Sequence, residues 1–203
     1  MTTQTETGIT ALVFGDRRLP RFLTALPVAR IDAPGDLDAV IDGVRRLLVV
    51  GSDPDLAAVL SRLMRKELLD IEVAQVGSWI SARRALSGAA RRIPLIRDDT
   101  GTALVGAALW LPPAGAATIQ GEVVVDDTVL FDGEAAGVRI EPTAQMPGLR
   151  ATVLSGRRSR WVTGRAVQLG TTGALVVRDG AAGAREVRRS TFYRHTTGWL
   201  RVG

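Results

Sequence analysis

Between residues 10 and 97, short aliphatic runs alternate with segments of helical period, and that alternation commits the N-terminal half to a parallel sheet with helices on its faces. The predicted strands are 10–15 (TALVFG), 28–32 (VARID), 46–51 (RLLVVG) and 70–77 (DIEVAQVG). The third is a continuous apolar run after its arginine, as expected of a strand buried on both faces. Residues 35–46 place Leu37, Val40, Ile41 and Val44 at helical spacing, with Asp36 as a cap. Residues 54–69 carry the strongest stripe: Leu56, Val59, Leu60, Leu63, Met64 and Leu68. Residues 16–26 are roughly helical but broken by Pro20, and 78–92 are predicted helical as far as Gly88. In sheets of this kind ligands bind at the carboxyl ends of the strands, which is where Gly51–Asp55 falls.

After residue 93 the period changes to two. Runs at 103–111, 121–131, 136–143, 149–156, 160–170, 173–180 and 184–195 are separated by turns rich in Gly, Pro and Asp. They predict an antiparallel β-domain, a sandwich or half-barrel. The expected fold class is therefore α+β with two domains. Residues 1–93 form an α/β parallel sheet of Rossmann-like kind, and residues 94–203 an antiparallel β-sandwich. Edge strands in so short a β-domain allow a homodimer.

Composition removes several chemistries. Cysteine is absent, which excludes disulfides, thiolate zinc sites and cysteine nucleophiles and suits a reducing compartment. The single histidine, His195, excludes a multi-histidine metal site within one chain, and no metal centre is expected. The start, MTTQTETG, has neither a basic region nor an apolar core, and no apolar run reaches the length of a membrane span. The expectation is a cytoplasmic protein without a transmembrane segment. No Gly-x-Ser-x-Gly elbow exists, which argues against a hydrolase built on His195.

Charge is unevenly spread. Residues 98–141 carry a net −7, and residues 150–203 a net +9 made almost entirely of arginine. Only Lys66 among 26 basic residues is lysine, the skew of a GC-rich coding sequence. The segment 185–199 gathers Arg185, Arg188, Arg189, Arg194 and His195 among Phe192, Tyr193 and Trp199, a basic and aromatic surface that would suit nucleic acid. A strand with one buried face predicts the same residues, its arginines solvated or meeting the acidic stretch 122–134. The nucleic-acid partner is the weaker expectation of the two.

The turn 51–55 (GSDPD) supports two expectations. A phosphate cradle needs close backbone approach, which Gly51 permits, and free helix N–H groups. A self-capped helix start explains the same residues: Asp53 as N-cap, Pro54 as N1 and Asp55 as N2, with both carboxylates complementing the helix dipole. Those carboxylates would repel a phosphate unless a cation intervened.

In its order of elements the chain resembles the diacylglycerol kinase and NAD kinase superfamily. That family's Gly-Gly-Asp-Gly-Thr loop is matched by Gly51, Ser52, Asp53, Pro54 and Asp55, in agreement at Gly51 and Asp53. A second motif, Gly-Thr-x-Asn before Ala-Arg, is represented by Gly77, Ser78, Trp79 and Ile80 with Ala82–Arg83; the asparagine is missing. Residues 130–140 (LFDGEAAGVRI) resemble the acidic turn of the family's β-domain through Asp132, Gly133 and Glu134. The resemblance implies an α/β nucleotide domain followed by a β-sandwich, a nucleotide or lipid ligand, and ATP with Mg²⁺ if the chain is active. It makes Gly51, Ser52, Asp53, Asp55, Gly77 and Ser78 a remnant phosphate site; catalytic residues remain unassigned. Pro54 removes an N–H and fixes φ, and Asp55 puts an anion where the family has a donor. The expected outcome is a kinase-like protein with a degenerate phosphate loop and little or no kinase activity, which binds a ligand or partner. The alternatives are an active lipid or nucleotide kinase that uses Asp53 on the cation, and a nucleic-acid-binding protein.

Overall fold

Buried aliphatic strands and short connections generate the first unit, Met1–Ile93 with Trp199–Gly203, in a computed structural model that describes residues 8–77, 79–154 and 160–203. Its elements are β1 (Ile9–Phe14), β2 (Val28–Ile31), α1 (Asp38–Ile41), β3 (Arg46–Val50), α2 (Asp53–Arg65), β4 (Glu72–Gln75), α3 (Trp79–Ser87) and β5 (Ala90–Ile93). Pro94–Gly198 forms the second unit. It contains β6 (Ile96–Asp98), β7 (Ala103–Leu104), β8 (Ala108–Leu111), β9 (Ile119–Val125), β10 (Thr128–Ala135), β11 (Val138–Pro142), β12 (Leu149–Val153), β13 (Val162–Gly164), β14 (Ala166–Arg178), β15 (Ala181–Ala182) and β16 (Val187–Arg194). The chain then returns to the first unit as β17 (Trp199–Val202).

The first sheet runs β2-β1-β3-β4-β17-β5. All its neighbours are parallel except β5, which is antiparallel to β17. Every residue of β3 is buried, as a strand covered on both faces requires. Residues 199–203 were expected in the β-domain; instead Leu200 and Arg201 pair with Glu72 and Val73.

Three helical expectations need correction. Helix α2 buries the predicted stripe, including Leu56, Val59, Leu60, Leu63 and Met64, but stops at Arg65. Glu67 turns left-handed at φ 59°, and the Glu67 and Leu68 amides donate back to the Met64 and Leu63 carbonyls, so Leu68 lies outside the helix. The helix predicted over 35–46 shrinks to a 3₁₀ turn, Pro34–Leu37, and α1, because Gly43 takes φ 76° and breaks the spiral. Asp36 does not head it: its carboxylate reaches back to the amides of Asp32 and Ala33. Residues 16–26 contain only the 3₁₀ turn Arg21–Leu23, starting directly after Pro20.

The second unit is a sandwich of two antiparallel ladders that share one long strand. β14 pairs with β9 through Val167–Thr171 and with β8 through Leu175–Arg178, crossing from one ladder to the other between them. One ladder runs β10-β9-β14-β16-β6-β7, the other β13-β12-β11-β8-β14. Both send side chains into a core that holds Trp110, Val123, Val138, Ile140, Leu149, Val167 and Phe192. Trp110 and Phe192 meet at 5.9 Å between ring centroids, and Trp110 Nε1 donates to Ser190 Oγ at 3.0 Å.

Candidate functional site

The strand order makes one place in the first unit special. From β1 the chain passes to β2 on one side and then to β3 on the other, so the order reverses at the carboxyl ends of β1 and β3. Open α/β sheets bind their ligands at such a point. Here it is lined by residues 15–17 after β1 and by residues 51–55 after β3.

The turn 51–55 closes on itself. Ser52, and not Asp53, is the N-cap, so Asp53, Pro54 and Asp55 occupy the first turn of α2 as N1, N2 and N3. The cap moves back one residue because Asp55, three positions on, returns its carboxylate to Ser52 as a capping box. Asp55 Oδ2 accepts from the Ser52 amide at 2.7 Å and from Ser52 Oγ at 2.6 Å. Arg17 approaches the same oxygen at 3.2 Å, while its guanidinium also donates to the Phe14 carbonyl. An ion pair therefore spans the switch point from one strand end to the other. Gly51 is needed for this arrangement, since a Cβ there would lie 2.8 Å from Asp55 Cβ. Its close approach is to the chain's own carboxylate.

Asp53 points elsewhere. Its Oδ1 accepts from Gln75 Nε2 at 2.9 Å, across to the end of β4. Gly77 follows that strand, and its amide donates to Ser81 Oγ at 3.1 Å, inside α3. Ser78 lies outside the described residues. Arg17 and Gln75 were not singled out from the sequence. Both carried a positional signal: each is a polar residue at or just beyond the carboxyl end of a strand in the sheet. Of the amides a phosphate would use, Ser52's is already taken and Pro54 has none. The residues present do not fit a triphosphate at this turn. Among the described residues, no group of three or more His, Asp or Glu side chains could hold a metal ion, and no helix is long and apolar enough to cross a membrane.

The remaining candidates lie in the second unit. Asp132 and Glu134 do not form a turn. They are exposed residues of β10, and Glu134 accepts from Thr118 and Gln120. Other acids of the acidic stretch serve the backbone. Asp126 accepts from the amides of Arg165 and Ala166, and Asp98, fully buried, pairs with Arg178 and accepts from the amides of Thr100 and Thr102. Arg185, Arg188 and Arg189 are exposed and form no ion pair among the described residues. Arg194 instead donates to the Pro147 carbonyl. Of the two arrangements the sequence allows for these arginines, solvated or paired with the acidic stretch 122–134, the described residues show no ion pair of the second kind.

β16 divides as the alternation predicts, with Phe192 in the core and Tyr193 on the opposite face beneath the guanidinium of Arg97. Burial, and then the charge of Arg97, hold His195 below the ordinary imidazole range. A histidine depressed in this way stays neutral when folded and protonates sooner when unfolded. Its contribution to stability is intact above about pH 6.5 and is lost as pH falls below that. His195→Gln is expected to flatten the decline in melting temperature as pH falls below about 6.5; a variant with the same slope as the natural protein would rule this out.

No protein-family model matches the chain, and no curated protein matches it. Solved structures do. The chain is similar over 96% of its length to an NAD kinase from Archaeoglobus fulgidus solved in complex with ATP, covering 93% of that chain at 13% identity with a TM-score of 0.65. It is similar over 98% of its length to a diacylglycerol kinase from Bacillus anthracis str. Sterne, covering 98% of that chain at 12% identity with a TM-score of 0.73. A putative diacylglycerol kinase from the same strain gives 10% identity, 96% of each chain and a TM-score of 0.73. At such identities the likeness establishes the fold.

Proposed function

We propose, from the premise that this chain has the two-domain fold of NAD and diacylglycerol kinases, that it is a kinase-like protein with a degenerate phosphate loop, acting by binding a ligand or partner with little or no phosphoryl transfer. The supporting observation is the Asp55 carboxylate on the Ser52 amide, held there by Arg17. Phosphoryl transfer needs donors and a cation arranged around the phosphates. Here the helix N-terminus carries its own anion, so a nucleotide would have to displace Asp55 and tolerate its charge. The names of the similar structures make a nucleotide or a lipid the ligand classes to try first.

Titration calorimetry with ATP and Mg²⁺ is expected to show no saturable binding below about 1 mM. Asp55→Thr frees the Ser52 amide and removes a like charge worth on the order of 1 kcal/mol or more near a surface, so it is expected to improve nucleotide affinity by about tenfold or more. Micromolar ATP binding by the natural sequence, with transfer to NAD or a lipid, would reject the proposal.

One observation favours the active alternative. Asp53 engages Gln75 through Oδ1 alone, and its second oxygen has no protein donor among the described residues. In an active enzyme that oxygen would hold Mg²⁺, and Asp53→Asn would abolish turnover.

A further inference from the structure

The outward face of the β10-β9-β14-β16-β6 ladder has an ordered distribution of charge. The strand registers place Asp132 beside Glu122, Glu122 beside Gly170, and Gly170 beside Arg189 in one row across four strands. All four residues are exposed. The next row holds Val129, Val124, Gln168 and Thr191, and the third ends in Ala166, Tyr193 and Arg97. The acids, with Glu134, therefore lie on the outer two strands at one side. The middle strand, β14, presents only Ala166, Gln168 and Gly170. Arginines lie on the two strands at the other side, with Arg185 and Arg188 exposed next to them; Asp99, just past β6, is the exception.

Among the described residues no counter-charge resolves this separation. Asp132 and Glu122 are like charges directly opposite each other, which is unfavourable in a sheet without a counter-charge. Arg189 is two strands away, about 10 Å, across a glycine, and forms no ion pair among the described residues. Val129 is 54% exposed close to the acids.

We infer that this face binds a second copy of the same chain. A two-fold axis along β14, parallel to the strands, exchanges the two sides of the face. It lays Asp132 and Glu122 over Arg189 of the partner subunit, and Arg189 over the partner's acids, so each contact occurs twice. It also sets β14 against its own copy, where Gly170 and Ala166 allow close approach. A nucleic acid fits this face less well, because three exposed acids share it with the arginines. The face is five strands wide and largely polar, which predicts weak association governed by charge.

Sedimentation velocity of the full chain tests this. At about 50 mM salt a concentration-dependent dimer is expected, and at about 500 mM salt the monomer, since exposed pairs are then screened. Arg189→Glu alone, and Glu122→Arg with Asp132→Arg, are each expected to weaken association at least tenfold while leaving the circular dichroism spectrum unchanged. An equimolar mixture of the two variants is expected to dimerise again, because their charges are exchanged in a complementary way. A monomer under all conditions, a dimer indifferent to salt and to the variants, or a mixture that stays monomeric would overturn the inference. So would binding of a single-stranded oligonucleotide by the monomer that depends on Arg189.

Discussion

Replacing Arg46 with methionine is expected to lower the stability of the first unit by about 3–5 kcal/mol, the scale for breaking a buried ion pair by removing one partner. Arg46 is the one charged residue of the otherwise aliphatic β3, and it is only 5% exposed. Its Nε donates to Glu72 at 2.6 Å, Nη1 to the carbonyls of Ala85 and Leu86 at 2.8 Å, and Nη2 to that of Gly88 at 3.0 Å. A single guanidinium thus caps the carboxyl end of α3 and ties it to β3 and β4. Methionine keeps the apolar stem and leaves three carbonyls and a carboxylate without their donor. Lysine, with one compact ammonium, is expected to recover only part of the loss. Denaturant unfolding measures this, with the two units followed separately if their transitions part. A change below about 1 kcal/mol would show that the network contributes little.

The second large effect is expected in the β-sandwich. Trp110→Ala removes the largest buried side chain of that core, at a cost of about 3–5 kcal/mol. Trp110→Phe keeps a ring against Phe192 but loses the donor to Ser190, a hydroxyl in a residue that is itself buried. That single loss is expected to cost about 1–3 kcal/mol. Equal destabilisation by the two substitutions would mean that the hydrogen bond, and not the packing, dominates. Near-ultraviolet circular dichroism and chemical unfolding distinguish the cases.

What the sequence revealed depended on distance along the chain. β3 and the stripe of α2 were legible because five consecutive buried positions and a 3.6-residue period are local signals. The β-domain was legible as a class from its period-two runs, but not in its pairings. The predicted run 160–170 divides between β13 and β14, and β14 joins its second half to the run 173–180, because Thr171–Gly173 continue the backbone between two ladders. β17 escaped notice since its four residues pair with segments more than a hundred positions earlier. The helix over 35–46 was overcalled because apolar spacing outweighed the glycine at 43. At the turn 51–55 the capping order differs by one residue from the expected one. Ser52 and Asp53 are both good N-caps, and only the return of Asp55 to the Ser52 amide decides between them. Arg17 could not be paired with Asp55 before the sheet order was known.

The placement of β17 between β4 and β5 has a consequence for how the molecule is made. A ribosome delivers residues 8–93 first, yet their sheet has a missing rung until Trp199–Val202 arrive. Translation of the intervening residues 94–198 occupies on the order of 5–20 s. Through that interval the rim of β4 faces solvent or a chaperone with its amides and carbonyls unmatched, while the β-sandwich, whose strands all come from that intervening stretch, is free to form first.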